Sequence, residues 1–455
     1  MSSQFTANLA WRYRVLPIEE DSVACTLACD KEFDKKLALT ELEFILGKKV
    51  HVVEKQAEEI TKLLNQAYPQ KKDQAAVRKT QINLLSPGVL EELLEEARSL
   101  GSSDLHIENT ADHALIRFRI DGKLIQRYKF TKQESLGLIN KIKIAANCDI
   151  AEKRLPQDGR ISIKVQLEKY DVRVSIVPAM FGEKVVMRIL GSKFTGNSIA
   201  KLPLSEIQKK EFVDAIKKPH GILLVSGPTG SGKTTTLYTT LSQLNNSGVN
   251  ILTIEDPIEY TIEGINQVQI KEDIGLSFST ALRSFLRQDP DIIMVGEIRD
   301  AETAEIAVRA AMTGHLVLST IHTNSSWQTI DRLIDMGIPK YLLSNVLNIS
   351  IAQRLVRLLC KNCKVAKETV QGTKKQVVFE SAGCAECNFT GYSGRTAIFE
   401  ILAVNSDVKK LIRETQPDFE AYYKTHNIQT LKDSAELLYY SGLTSYDEIE
   451  QYLTH

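Results

Sequence analysis

Three rhythms of apolar and polar residues succeed one another along the chain. In "LALTELEFILGKKVHVVEKQAEEITKLLNQAY" the spacing predicts a short helix, a strand at residues 50–53 and an amphipathic helix whose apolar positions are Ile60, Leu63, Leu64 and Tyr68. The polar stretch "PQKKDQAAVRKTQ" that follows reads as a solvated linker, so a small mixed module is expected over residues 1–72. Next, "PGVLEELLEEARSLG" has the period of an amphipathic helix closed by Gly101. "ALIRFRIDGKLIQRYKF" then alternates about Asp121 and Gly122 as a hairpin does, and "ISIKVQLEKYDVRVSIV" forms a second alternating pair. These segments predict an α+β domain over 82–195, followed by a linker near "GSKFTGNSIAKL".

The third rhythm is different. "GILLVSG", "NILTIED", "DIIMVGE" and "HLVLSTIH" are short apolar runs separated by helical segments, the mark of a parallel sheet buried on both faces. They predict an α/β domain over 202–345. A C-terminal region over 346–455 becomes helical after about residue 400, where "TSYDEIEQYL" offers a capping box of Ser445 and Glu448.

Composition changes this picture little. The 455 residues predict two to four domains, and 43% hydrophobic with 25% charged residues excludes a disordered chain. Lys plus Arg and Asp plus Glu are equal at 57 each, so no global field draws the protein to nucleic acid or anionic lipid. No apolar run approaches the roughly 18 residues of a spanning helix. The opening "MSSQFTANLAWRYRVLP" lacks a signal peptide's apolar centre, so a cytosolic protein is expected.

The chemistry is concentrated in one stretch. "VSGPTGSGKTTT" fits the phosphate-binding pattern G-x-x-x-x-G-K-[ST], and it lies between a predicted strand and a predicted helix. Glycines are needed because backbone N–H groups must close around phosphate oxygens, and the helix N-terminus adds a positive field. The expected nucleotide-binding residues are Gly227, Pro228, Thr229, Gly230, Ser231, Gly232, Lys233, Thr234 and Thr235. Lys233 is expected to reach the β and γ phosphates, and Thr234 to hold Mg²⁺. Hydrolysis also needs an acid to orient water. Two strands end in acids: "ILTIEDPIEY" with Glu255, Asp256 and Glu259, and "DIIMVGEIRD" with Glu297. Either Glu259 or Glu297 could orient the water, and both are expected near the γ-phosphate.

Cys360 and Cys363, with Cys384 and Cys387, form C-x₂-C-x₂₀-C-x₂-C. Two close thiolate pairs can complete a tetrahedral shell around Zn²⁺, and a set of four cysteines leaves no open position for catalysis, so a structural site is expected. Cys25, Cys29 and Cys148 have no such pattern and read as buried or incidental.

"TIEDPIEY", "LRQDPDIIMVGEIRDAETAEIAVRAAMTGHLVLSTIHTN" and "IAQRLVRLLC" resemble the Asp box, Walker B strand and His box of the secretion ATPase superfamily, and within it the type II secretion and type IV pilus assembly branch. The resemblance implies a RecA-like ATPase domain preceded by a PAS-like α+β domain, a hexameric motor, and ATP, Mg²⁺ and Zn²⁺ as cofactors. Implied partners are an inner-membrane platform protein and a membrane adaptor whose cytoplasmic domain docks the N-terminal module, with the ATPase peripheral at the inner membrane. The His box carries over to His315 and His322. The two would face opposite sides of a strand, which favours His322 as the phosphate-side residue.

The family also supplies arginines from the preceding domain. "IRFRIDG" and "AEKRLPQDGR" match its patterns and offer Arg119 first, then Arg154 and Arg160. Retraction ATPases of the family lack the tetracysteine element, so its presence here favours secretion or assembly. The Arg-Leu-Gly and Leu-rich repeat by which some members bind a cyclic dinucleotide is not found in the N-terminal module, so no such regulation is expected. The competing reading is a nucleic-acid translocating RecA-like motor. It lacks an aromatic and basic platform, and no nucleic-acid partner is expected.

Overall fold

The computed structural model describes residues 10, 13, 15–20, 24–29, 39, 41–43, 46–55, 60 and 64 of a first unit, 1–74. Of a second unit, 75–455, it describes 82–84, 86–165, 168–190, 198–371 and 374–453. The predicted linker at 69–81, most of that at 191–202, and Leu63 and Tyr68 lie outside the described residues.

The first unit holds a three-stranded sheet in the order β1 (Val15–Glu20), β2 (Ala24–Cys29), β3 (Lys49–Glu54), with β1 and β2 antiparallel and β2 and β3 parallel. Strand β3 is the predicted one. The other two escape the pattern because "VLPIEE" is interrupted by proline and "ACTLAC" is apolar almost throughout. Cys25, Leu27 and Cys29 alternate into one buried cluster with Leu42, Leu46 and Val50, while Ala28 packs on the other face with Ala10, Ile60 and Leu64.

The second unit begins with α1 (Val89–Ser99), β4 (Ser102–Asn109), β5 (Ala114–Ile120), β6 (Lys123–Phe130), α2 (Lys132–Ala145), β7 (Gln157–Val165), β8 (Glu168–Ala179) and β9 (Gly182–Leu190). The six strands form an antiparallel sheet in the order β6-β5-β4-β9-β8-β7. Asp121 and Gly122 both take positive φ (48° and 84°) between β5 and β6, as a tight hairpin of this hand requires. One face of the sheet buries Leu105, Ile107, Phe118, Val174 and Met187 beneath α1 and α2; each such side chain contributes ~1.5–3 kcal/mol by leaving water. The other face, by the strict alternation of strands, is charged.

After α3 (Glu206–Ile216) come β10 (Gly221–Ser226), α4 (Lys233–Leu244), β11 (Ile251–Glu255), β12 (Asn266–Gln269), α5 (Phe278–Phe285), β13 (Ile292–Val295), α6 (Ala301–Met312), β14 (Leu316–Ile321), α7 (Gln328–Asp335) and α8 (Lys340–Val346). They are followed by β15 (Leu347–Leu359), β16 (Val365–Gln371), β17 (Lys374–Glu380), β18 (Tyr392–Ala403), α9 (Ser406–Arg413), α10 (Phe419–His426), α11 (Leu431–Tyr440) and α12 (Tyr446–Leu453). A seven-stranded sheet runs β12-β11-β13-β14-β10-β15-β18, parallel throughout except for the antiparallel edge strand β18.

Two expectations differ from this arrangement. The α/β sheet does not stop at residue 345: β15 and β18 complete it, so the tetracysteine segment with the β16–β17 hairpin is an excursion between two strands of the same sheet. Helix α12 begins where "TSYDEIEQYL" predicts, but not through the capping box. The Ser445 hydroxyl bonds Tyr392 Oη at 2.6 Å, and the Glu448 carboxylate takes Arg357 Nε at 2.9 Å. Tertiary partners have claimed both side chains.

Candidate functional site

Because β10, β11, β13 and β14 are parallel, their C-terminal ends lie along one edge of the sheet, the place where open α/β sheets bind ligands. The edge carries the glycine-rich loop after β10, Glu255 at the end of β11, Glu297 just after β13 and His322 just after β14.

The loop is shaped by close contacts as well as by φ. A Cβ on Gly227 (φ 149°) would stand 2.5 Å from Gln353 O and 2.6 Å from Ser231 Oγ, and one on Gly232 (φ 86°) would stand 2.8 Å from Gln353 Nε2. Gly232 precedes α4 with no side-chain cap, leaving the first N–H groups of that helix for a ligand. Ser231 is buried and its hydroxyl has no partner, as expected of a donor awaiting an anion.

Lys233 is buried, and its Nζ donates to Gly227 O at 2.8 Å and Pro228 O at 3.0 Å. Burial lowers its pKa; the Glu297 charge opposes that shift and Arg354 reinforces it. Arg354 lies beneath the loop, bonding Gln353 O and Asn324 O, so a second cation adds to the field of the cradle. Thr234 and Thr235 are exposed on the first turn of α4. These residues fit a nucleoside triphosphate, and Thr234 with the acids at the sheet edge fits a divalent cation.

Glu297 is 15% exposed and is held by Arg299 and by His322, whose Nε2 lies 3.4 Å from Glu297 Oε2. It follows Gly296, which packs so closely on β11 that a Cβ would meet Ile254 O at 3.2 Å. The two histidines do not face opposite sides of one strand, as the spacing predicts, but flank β14 at its two ends. His315 precedes β14 and its Nδ1 bonds Ala310 O at 2.9 Å, so it sits at the opposite end of the strand. Six residues of β-strand place it about 20 Å from His322's end. With Gly227 and Pro228, His322 lines a cleft of about 490 Å³ that also reaches Asn324, Gln328 and Asp331.

The acids of the β11 loop divide. Glu255 is fully engaged, accepting from Tyr238 Oη, from Thr253 Oγ1 at 2.6 Å and from Gln267 Nε2 at 3.0 Å. It therefore ties α4 to the loop. Glu259 faces the charged sheet of the preceding domain: burial raises its pKa, and Arg173 and Arg188 counter the rise.

That sheet carries an alignment that one-dimensional reading missed. Register places Arg119, Asp104, Arg188, Arg173 and Arg160 side by side across β5, β4, β9, β8 and β7. Asp104 bonds Arg188 Nε at 2.9 Å and lies 3.5 Å from Arg119 Nε. Arg173 has no carboxylate bonded to it in the row. Its Nη2 reaches Ile258 O at 3.4 Å, and its buried Nε has no partner. Arg154 is 89% exposed and pairs with nearby Glu152. A hint was available: "VRVS" and "VMRI" put single arginines on the polar beat of two strands.

The four cysteines come together as their spacing predicts, with all Sγ atoms within 4.8 Å of one another. Cys360 with Cys384, Cys363 with Cys387 and Cys384 with Cys387 are each 3.8 Å apart. Four thiolates at Zn–S distances of about 2.3 Å have tetrahedral edges of about 3.8 Å, so the cluster fits that ion. The N–H groups of Gly383, Cys384 and Gly391 donate to its sulfurs.

The sheet and cradle define a P-loop nucleotide-binding protein of the RecA-like class. The chain belongs to the Type II/IV secretion system protein family, whose model matches residues 78–451. It is 44% identical to Type II secretion system protein HxcR of Pseudomonas aeruginosa over 78% of this chain and 75% of the relative. Identity is also 44% to Type II secretion system protein E of Dickeya dadantii, over 78% and 73%.

Among solved structures, the pilus retraction motor PilT with bound ADP is 28% identical with a TM-score of 0.54, covering 80% of this chain and 96% of that one. The Legionella pneumophila ATPase DotB shares the fold at a TM-score of 0.64 and 23% identity, over 81% and 96%. Residues 1–74 match the MshEN domain. That match covers the segment over which the sequence predicts a small mixed module.

Proposed function

We propose that this protein is the ATPase of a type II secretion or pilus assembly machine. It works as a homohexamer at the cytoplasmic face of the inner membrane, against a platform protein and a membrane adaptor. The observation that carries the reading is the convergence of Lys233, Glu297 and His322 on one edge of a parallel sheet beside an uncapped helix N-terminus. Among the described residues no helix is long and apolar enough to cross a membrane, so a membrane role rests on partners.

In this mechanism the loop amides and Lys233 hold the β and γ phosphates. Bound Mg²⁺, held by Thr234, would neutralise charge on the phosphate oxygens. Glu297 orients a water and takes its proton as the water oxygen attacks the γ-phosphorus and the bond to the β-phosphate's bridging oxygen breaks. His322 and Arg299 hold the Glu297 carboxylate in place. Glu259 faces the arginine row, and Arg173, Arg188 and Arg160 supply positive charge when the two domains close on the nucleotide. Cys360, Cys363, Cys384 and Cys387 would hold Zn²⁺, which when bound would brace the excursion between β15 and β18. Nothing in the comparisons favours a nucleic-acid motor.

The test is ATP hydrolysis across a protein concentration series with mass photometry on the same samples. Turnover that rises with hexamer formation, needs Mg²⁺ and ignores single-stranded DNA is expected; stimulation by DNA would overturn the secretion reading.

A further inference from the structure

Strand β15 lies beside β10 in parallel register, with Ser226 opposite Ala352, so the next residue, Gln353, stands level with the start of the phosphate loop. Its side chain is 2% exposed. The amide makes two bonds to different parts of the loop and helix: Nε2 donates to Ser231 O at 2.9 Å, and Oε1 accepts from Thr236 Oγ1 at 2.7 Å. The Ser231 carbonyl can only accept, so it fixes which end of the amide is the donor; a flip would lose that bond and set two oxygens against each other, while the Thr236 hydroxyl can serve either end.

The bond to Ser231 O matters through peptide geometry. In a trans peptide the carbonyl of one residue and the N–H of the next point in opposite directions across a rigid plane. Drawing Ser231 O toward β15 therefore turns the Gly232 N–H away from β15, out of the sheet edge and into the cradle. Gly232 takes φ 86°, which strains any L side chain, and a Cβ there would also press on Gln353 Nε2 at 2.8 Å. The Thr236 bond, one turn further along α4, holds the amide against the helix whose N-terminus faces the ligand.

We infer that Gln353, which lies in the stretch "IAQRLVRLLC" and not in the phosphate loop itself, is a positioning residue that aims the Gly232 N–H at the nucleotide's phosphates. The inference rests on the ATP-binding reading above. Gln353 touches no phosphate itself; it acts by holding a peptide plane that would otherwise be free to rotate. Thr236 acts through Gln353 in turn, so the two residues form one unit.

The experiment is ADP binding by calorimetry and steady-state ATP hydrolysis on the full chain for wild type, Gln353→Met, Thr236→Val and the double variant, with thermal melts in the absence of nucleotide. Met keeps the length and burial of Gln and loses both bonds; Val keeps the shape of Thr. Gln353→Met is expected to weaken ADP about tenfold and to raise KM similarly, with kcat within about threefold. Thr236→Val is expected to have a smaller effect in the same direction, and the double variant to be no worse than Gln353→Met alone.

A packing role only would lower the melting temperature while leaving ADP affinity within twofold of wild type, and that result overturns the inference. Additive effects of the two substitutions overturn it as well. Should the wild-type chain itself take up no ADP, the nucleotide reading of the site fails; unchanged affinity in Gln353→Met against a wild type that binds sinks this inference alone.

Discussion

The phosphate cradle and the arginine row present positive charge in opposite ways. The cradle is built within one parallel sheet, from residues close in sequence, and its lysine is buried and already held by Gly227 and Pro228 carbonyls. The row is spread over five antiparallel strands of another sheet, and it touches the ATPase part through Arg173 and Ile258 at 3.4 Å. A preorganised site serves both ground state and transition state. A row on a separate layer adds its charge only when the layers close, which is the property a mechanical cycle needs.

The strongest way to break this comparison is Lys233→Ala. Loss of a buried cation aimed at the transferring group is expected to cut kcat/KM by about 10³-fold or more. The fold should keep its melting temperature within about 2 °C, because the cost of burying the ammonium, which lowers its pKa, offsets its bonds to the loop carbonyls. A steady-state assay with a parallel melt checks both; a large fall in melting temperature would mean that the cradle is held together by the lysine rather than merely completed by it.

Arg173→Ala sharpens the other half. Arg173 has a partnerless Nε and no bonded carboxylate in its row, and its Nη2 reaches across to Ile258 O instead. Its loss is expected to lower kcat about 10²-fold while ADP affinity stays within about threefold, the split expected of charge supplied only on closure. The pH profile gives an independent reading. Burial raises the pKa of Glu259 and the arginines pull it back. If protonated Glu259 is inactive, activity falls as pH drops through that raised pKa. Removing Arg173 or Arg188 lets the pKa rise further, so the acid limb should move to higher pH. A limb that stays put would remove Glu259 from the cycle.

The two regions also differ in how far they could be read from sequence. The glycine-rich loop, the glutamate after β13 and the cysteine pairs stand out in the sequence because each pattern depends on neighbours in the chain: a nine-residue loop, a strand end, two C-x₂-C knuckles. The row was not, since Arg160, Arg173 and Arg188 become neighbours only through the registers of β7, β8 and β9. Spacing likewise hid that β15 and β18 rejoin the central sheet around the cysteine segment. The capping motif before α12 misled because local side chains were taken by Tyr392 and Arg357. Hairpins survived, as Asp121 and Gly122 show, because the turn itself carries the signal.

The tetracysteine cluster tests whether the region between β15 and β18 is tied to the cradle. Cys384→Ser, or removal of zinc with a chelator, is expected to lower the melting temperature by about 5 °C or more, since metal binding energy at such a site is folding energy. One zinc per chain by elemental analysis should accompany the native protein. ADP affinity should change less than about threefold, because the cradle's bonds come from β10, α4 and Gln353.

The smallest expected effect decides between two sets of arginines. Arg154 sits in a family-like motif yet is 89% exposed and paired with Glu152 two residues away, whereas Arg160 stands in the row beside Arg173. An exposed ion pair contributes little to stability and is screened by salt. Arg154→Ala is therefore expected to change kcat less than twofold and Arg160→Ala more than tenfold, measured side by side at fixed ionic strength. A larger loss for Arg154 would mean that closure of the domains, or a neighbouring copy, carries that side chain into the phosphate site. The division between a finished cradle and a row awaiting closure would then have to include the segment between α2 and β7.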